Sequence, residues 1–191
     1  MTIPNLITIL RLALTVVGLV IVALWPVEGD LAELKAFQVW FPFSLFLFAA
    51  VTDFVDGYLA RSLGQVSVLG RILDPLADKI LIAGGLILLL PHAFRIPGLL
   101  PAWLVVVVVS REILVSSIRG MIESQGKSFA ADGWGKWKMV AQCFYLESLM
   151  AFIGGWTWCR PIAEVSLWVV LVLTTLSALN YLKKAYHVLL A

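Results

Sequence analysis

Residues 53–78 read DFVDGYLARSLGQVSVLGRILDPLAD. Four of the chain's twelve acidic residues stand in this stretch: Asp53, Asp56, Asp74 and Asp78. It joins two apolar runs, 36–59 and 72–90. Crossing a hydrocarbon layer of roughly 30 Å takes about 20 apolar residues as a helix, and both runs reach that length. Asp53 and Asp56, three residues apart near the end of one helix, share a face; Asp74 and Asp78, four apart at the start of the next, share another. The short connection makes the two helices antiparallel neighbours, so the spacing predicts that the four carboxylates converge. A carboxylate at a membrane helix end is costly unless paired, wetted or bound to metal. Four together repel and take up protons. Hard divalent cations relieve that repulsion, and an oxygen-only donor set suits Mg²⁺ or Mn²⁺ rather than zinc. Four carboxylates suffice for two ions, the arrangement that clamps the attacking and leaving oxygens of a phosphoryl displacement.

The residues between the carboxylates fit such chemistry. Gly57 lies one turn beyond Asp53, where a missing side chain lets a ligand approach the backbone. Ala60 continues that small surface. Arg61 is placed to fork onto a phosphate, and Ser67 adds a hydroxyl. Pro75 is expected in or near the first turn of its helix, where a missing N–H costs least.

Outward from this centre, four further apolar runs occupy 6–25, 99–122, 139–153 with its flanks, and 162–179. Hydrophobic residues make up 61% of the 191 and charged residues 14%, against roughly 45–50% and about 25% in soluble domains. That balance excludes a soluble globular enzyme and a disordered chain. A net charge of +2 forms no basic face for nucleic acid. The expectation is an all-α integral membrane protein of six transmembrane helices in one domain, residues 1–191. The first run is read as a span and not a cleaved leader, because Arg11 interrupts it and no small-residue cleavage site follows. Eleven Lys and Arg residues fall on the side of both termini and three on the other, which puts both termini in the cytoplasm. Cys143 and Cys159 are read as packing thiols.

The pattern D-x2-D-G-x2-A-R-x8-G-x3-D-x3-D, complete here from Asp53 to Asp78 with Gly70 at its sixth fixed position, resembles the signature of the CDP-alcohol phosphotransferase family. The resemblance implies a six-span membrane enzyme that passes a phosphatidyl or related group from a CDP-linked donor to an acceptor hydroxyl and releases CMP. It implies two divalent ions, Mg²⁺ or Mn²⁺, on Asp53, Asp56, Asp74 and Asp78, with Asp78 also the base that takes the acceptor's proton. Gly57, Arg61 and Ser67, with Ala60 beside them, then hold the donor's cytidine and diphosphate. A homodimer in a bacterial cytoplasmic membrane is implied in the same way.

Outside the signature, residues 3–11 (IPNLITILR), Arg111 with Glu112, and residues 135–138 (GKWK) are similar to bacterial phosphatidylglycerophosphate synthases. That subfamily is expected to carry Thr where this chain has Met139. The implied substrates are CDP-diacylglycerol and glycerol 3-phosphate. Thr8, Arg11 and Thr15 fall within about 60° on one helical face, a polar stripe read as lining the donor site with Asn5 at its mouth. The acceptor's dianion calls for fixed cations, for which Arg111, Arg119, Lys136 and Lys138 are the candidates. Lys138 is favoured over Lys136, since the two point about 200° apart and Gln142 extends the polar face one turn below Lys138. Glu112 is placed to orient Arg111. The alternatives are a family member with another acceptor, phosphatidylglycerol or inositol phosphate, and an ion or proton carrier that uses intramembrane Asp residues. Carriers place such groups near the midplane with broken helices or repeats; here the carboxylates cluster at one end and no internal repeat is visible.

Overall fold

Helix α1, Ile3–Ala23, is the first of the apolar rods, and it packs along both α2 and α3. The computed structural model describes residues 3–26, 36–63, 68–124 and 133–190; within these, the side chains at 3–5, 53–63, 68–72, 94–95, 133–134, 136 and 187–190 lie outside the description. α2 runs Ala36–Leu63 with Pro42 inside it. α3, Val68–Lys79, continues through one π turn, Ile80–Gly84, into α4, Gly85–Leu89, and ends in a short 3₁₀ segment, Leu90–Arg95. α5 spans Ala102–Ser124, α6 Gly133–Ile153 and α7 Cys159–Leu190. Among the described residues the architecture is all-α, without strands. Each of the six apolar runs lies on a helical rod.

Several boundaries differ from the hydropathy pattern. α3 starts at Val68, so Pro75 stands in the helix interior and not in its first turn. Its ring removes the N–H that would bond the Arg71 carbonyl. α7 continues past 179 to Leu190. Hydropathy falls at Lys183 and Lys184, but lysine is a good helix former, so the helix outlasts the apolar run. Pro161 is the third residue of α7, within the first turn, where a missing N–H costs nothing.

The core is the contact region of these rods. Phe46 on α2, Leu81, Ile82 and Leu86 on the α3–α4 rod, Leu104 and Val108 on α5, Tyr145, Leu146 and Leu149 on α6 and Val170 on α7 are buried together. Close approach rests on glycine: a Cβ on Gly84 would meet Leu19 Cδ1 at 2.9 Å, and one on Gly85 would meet Leu146 Cδ2 at 2.8 Å. α1 and α6 thus seat their leucines against this rod where it has no side chain. α6 ends in a Schellman turn, with Trp156 N–H on the Ala151 carbonyl at 3.0 Å and Gly155 N–H on Phe152 at 3.1 Å. Gly155 takes φ +96° there, a conformation that favours glycine.

The outer faces are apolar too. Val16, Val20, Phe48, Val106, Ile113, Phe144, Val165, Trp168 and Val172 are all exposed on the rods. Contiguous apolar surface of this kind marks contact with lipid or protein. By length and hydropathy, Leu6–Ala23 and Cys159–Tyr186 are each long and apolar enough to cross a membrane, and Ala36–Thr52 is a shorter apolar helix. Trp25 is buried, donates its Nε1–H to the Gln38 carbonyl at 3.2 Å, and meets His92, also buried, edge-on at 5.7 Å. Both cysteines are free thiols.

Candidate active site

α1 and α3 build an acidic edge. The stripe read on α1 is inward-facing: Thr8, Arg11 and Thr15 are all buried. Thr8 Oγ1 donates to Asp74 Oδ1 at 2.8 Å. Arg11 Nη2 lies 3.4 Å from both the Asp74 carbonyl oxygen and Asp74 Oδ1, and Arg11 Nη1 is 3.7 Å from Asp78 Oδ1. Arg11 is only 3% exposed while Asp74 and Asp78 are 50% and 30% exposed. The guanidinium therefore does not snorkel to water; it is fixed inside the bundle under two partly solvated carboxylates. The i, i+4 spacing of Asp74 and Asp78 puts both on the face of α3 that α1 covers, and the π turn begins two residues after Asp78.

The donor set suits a hard cation. It offers oxygens only, and the contacts of Asp74 with Thr8 and Arg11 fall on Oδ1 and the backbone carbonyl, leaving Oδ2 without a contact among the described residues. Asp53, Asp56, Gly57, Ala60 and Arg61 lie at helical spacing on the last turns of α2, but their side chains lie outside the description, as do those of Asn5 and Lys136. Ser67 lies outside the described residues altogether. Among the described side chains, no three His, Cys, Asp or Glu groups gather.

α5, α6 and α7 build a second polar cluster of the opposite sign. Arg111 and Lys138 are buried, at 7% and 6% exposure. Arg111 Nη1 lies 3.3 Å from Glu112 Oε1, and Lys138 Nζ donates to the same oxygen. Arg111 Nη2 donates to Ser177 Oγ on α7. The Tyr181 ring lies 5.6 Å from the Arg111 guanidinium and 6.0 Å from that of Arg119, and Arg119 Nη2 donates to Tyr181 Oη at 3.0 Å. Gln142 is buried one turn below Lys138.

Three of the four cations named from the sequence, Arg111, Arg119 and Lys138, thus belong to one connected network. The sequence reading gave Glu112 a single partner, Arg111; here it also holds Lys138. It overlooked Ser177 and Tyr181. The signal was present, since Thr174, Ser177 and Tyr181 follow i, i+3, i+7 along α7 and all three are buried, a polar stripe of the same kind as that on α1.

Comparison with known proteins finds relatives along nearly the whole chain. A relative in Bacillus subtilis, named CDP-diacylglycerol–glycerol-3-phosphate 3-phosphatidyltransferase, is 35% identical over 97% of this chain and 96% of its own. Proteins of the same name in Pseudomonas fluorescens and Haemophilus influenzae are each 34% identical, over 97% and 74% of this chain and 91% and 75% of theirs. The description CDP-alcohol phosphatidyltransferase matches residues 1–176, a span that takes in the acidic edge, Arg111, Glu112, Arg119 and Lys138. The chain belongs to the CDP-alcohol phosphatidyltransferase family and is a phosphatidyltransferase.

Proposed function

We propose that the protein transfers a phosphatidyl group from CDP-diacylglycerol to glycerol 3-phosphate, giving phosphatidylglycerol phosphate and CMP. The observation that carries this reading is end-to-end likeness to relatives named for that transfer, 97% of this chain against 96% of the Bacillus subtilis protein. The charge distribution supports it. Glycerol 3-phosphate is a dianion, and the α5–α6–α7 cluster buries two cations beside each other with a third, Arg119, on the same tyrosine. A neutral acceptor gives no return on the cost of desolvating those charges.

In this reading Asp53, Asp56, Asp74 and Asp78 hold two divalent ions, Mg²⁺ or Mn²⁺, whose charge neutralises the donor diphosphate and the departing CMP. Arg11 and Thr8 fix the direction of the Asp74 and Asp78 carboxylates. Asn5, Thr8, Gly57, Ala60, Arg61 and Ser67 bind the donor. Arg111, Arg119, Lys136 and Lys138 bind the acceptor phosphate. Asp78 takes the proton of the acceptor hydroxyl as that oxygen attacks the phosphorus bearing the diacylglycerol. The bond from this phosphorus to the bridging oxygen breaks, and CMP leaves with the electron pair. The six rods cross a bacterial cytoplasmic membrane as one domain, with both termini and the charged helix ends on the cytoplasmic side, and two copies associate as a homodimer. Exposed apolar faces on every rod support the membrane placement.

The test is CMP release by purified protein given CDP-diacylglycerol and, in turn, glycerol 3-phosphate, phosphatidylglycerol, inositol phosphate or no acceptor. Release with glycerol 3-phosphate alone supports the proposal. Release with a different acceptor alone reassigns the substrate within the family. No release with any of them, together with ion flux in proteoliposomes, favours a carrier.

A further inference from the structure

Glu112 is one carboxylate serving two buried cations on two helices. Arg111 Nη1 approaches its Oε1 at 3.3 Å and its Oε2 at 3.5 Å, and Lys138 Nζ reaches the same Oε1. The three side chains are 7%, 13% and 7% exposed for Arg111, Glu112 and Lys138. The two cations are not held alike. Arg111 is fixed from a second side by Ser177 Oγ and lies over the Tyr181 ring. Lys138 is a point charge on a flexible four-carbon stem, and among the described residues its hydrogen bond goes to Glu112. Since both cations converge on one carboxylate oxygen, they are close enough to converge on one phosphate. Two positive charges against one negative leave a surplus of one, and Arg119 raises it to two, so the cluster stays attractive to an anion although Glu112 stands inside it.

We propose that Glu112 is a positioning residue for the acceptor: it holds the Lys138 ammonium beside the Arg111 guanidinium before substrate arrives, so that both meet the acceptor's phosphate together. The proposal rests on the reading that these cations receive that phosphate. Its physical basis is preorganisation. A lysine already confined by a carboxylate gives up little rotamer freedom on binding, whereas an unconfined one gives it up at that moment.

The experiment measures KM for glycerol 3-phosphate and for CDP-diacylglycerol separately, in wild type, Glu112→Gln and Glu112→Asp, with inorganic phosphate as a competitive probe. Glu112→Gln keeps the shape and removes the charge. The expected result is a rise of about tenfold in KM for glycerol 3-phosphate, a parallel rise in the phosphate inhibition constant, and an unchanged KM for CDP-diacylglycerol. Glu112→Asp keeps the charge, and the rise is smaller. Should the Gln variant not accumulate, the Asp variant gives the same reading at reduced size. An unchanged KM for glycerol 3-phosphate in either purified variant overturns the proposal, as does a joint rise of both KM values with a lowered Tm, the mark of a purely structural residue. If wild type itself fails to use glycerol 3-phosphate, it is the assignment of the acceptor that falls, and the two failures are told apart by that control.

Discussion

The acidic edge and the basic cluster are built alike with the signs exchanged. At the edge, Arg11 on α1 stands between Asp74 and Asp78 on α3. In the cluster, Glu112 on α5 stands between Arg111 on its own helix and Lys138 on α6. In each, one residue of the minority sign ties two helices together and leaves the majority sign in surplus. The difference lies in solvation. Asp74 and Asp78 remain half and one-third open to water, whereas Arg111 and Lys138 are nearly closed off. An open carboxylate pair suits ions that exchange with solvent and arrive with part of their hydration. Closed cations suit a small anion that must be stripped and held in one orientation, because electrostatic interactions strengthen as water is excluded. On the proposed reading, surplus sign and degree of closure together match each region to its ligand: divalent ions with the donor diphosphate at the edge, the acceptor phosphate in the cluster.

Substitutions that empty one region while sparing the other sharpen this division. Asp78→Asn produces the largest effect. It removes the proposed base and a metal ligand while keeping the shape, and turnover is expected to fall by about 10²–10⁴ in a CMP-release assay with the protein still folded. Substantial retained turnover removes Asp78 as the base. Lys138→Gln acts on the other region. Loss of a charge-assisted contact of about 1.5–3 kcal/mol raises KM for glycerol 3-phosphate by about 10–150-fold and leaves KM for CDP-diacylglycerol unchanged. A rise confined to the lipid donor breaks the division. Arg11→Gln lowers stability by about 1–3 kcal/mol, since it takes a charged donor from two partly solvated carboxylates. Thermal unfolding is expected to show a larger loss in chelator than with Mg²⁺, because a bound ion supplies the missing positive charge; an equal loss in both separates Arg11 from the metal site. Tyr181→Phe is the mildest. It removes one hydrogen bond to Arg119 and keeps the ring beneath both arginines, so KM for the acceptor is expected to rise about two- to fivefold.

Hydropathy located the helices because each rod must present apolar side chains on most of its circumference, inward to the core and outward at residues such as Val106 and Phe144. It misplaced ends where charge and helix propensity part company, as at Lys183 and Lys184 on α7. The acidic edge was legible as a local spacing, Asp74 to Asp78 on one helix and Thr8 to Arg11 on another. That Arg11 lies beneath those carboxylates was not, for 63 residues separate Arg11 from Asp74 and only packing of α1 on α3 joins them. The basic cluster was legible as candidate cations. Its counter-ion was half read, since Glu112 adjoins Arg111 in sequence while its bond to Lys138 spans 26 residues. Ser177 and Tyr181 were within reach of the rule that found the α1 stripe: a buried polar residue every three or four positions in an apolar helix faces a polar partner.

On the proposed reading, the acidic edge works by holding hard divalent ions over the donor diphosphate. The most direct test of that reading is CMP release by wild-type enzyme stripped of metal with chelator, given CDP-diacylglycerol and glycerol 3-phosphate, and then titrated with Mg²⁺ or Mn²⁺. No release from the stripped enzyme and full recovery on adding either ion are expected. Release at the full rate without any divalent ion contradicts the reading.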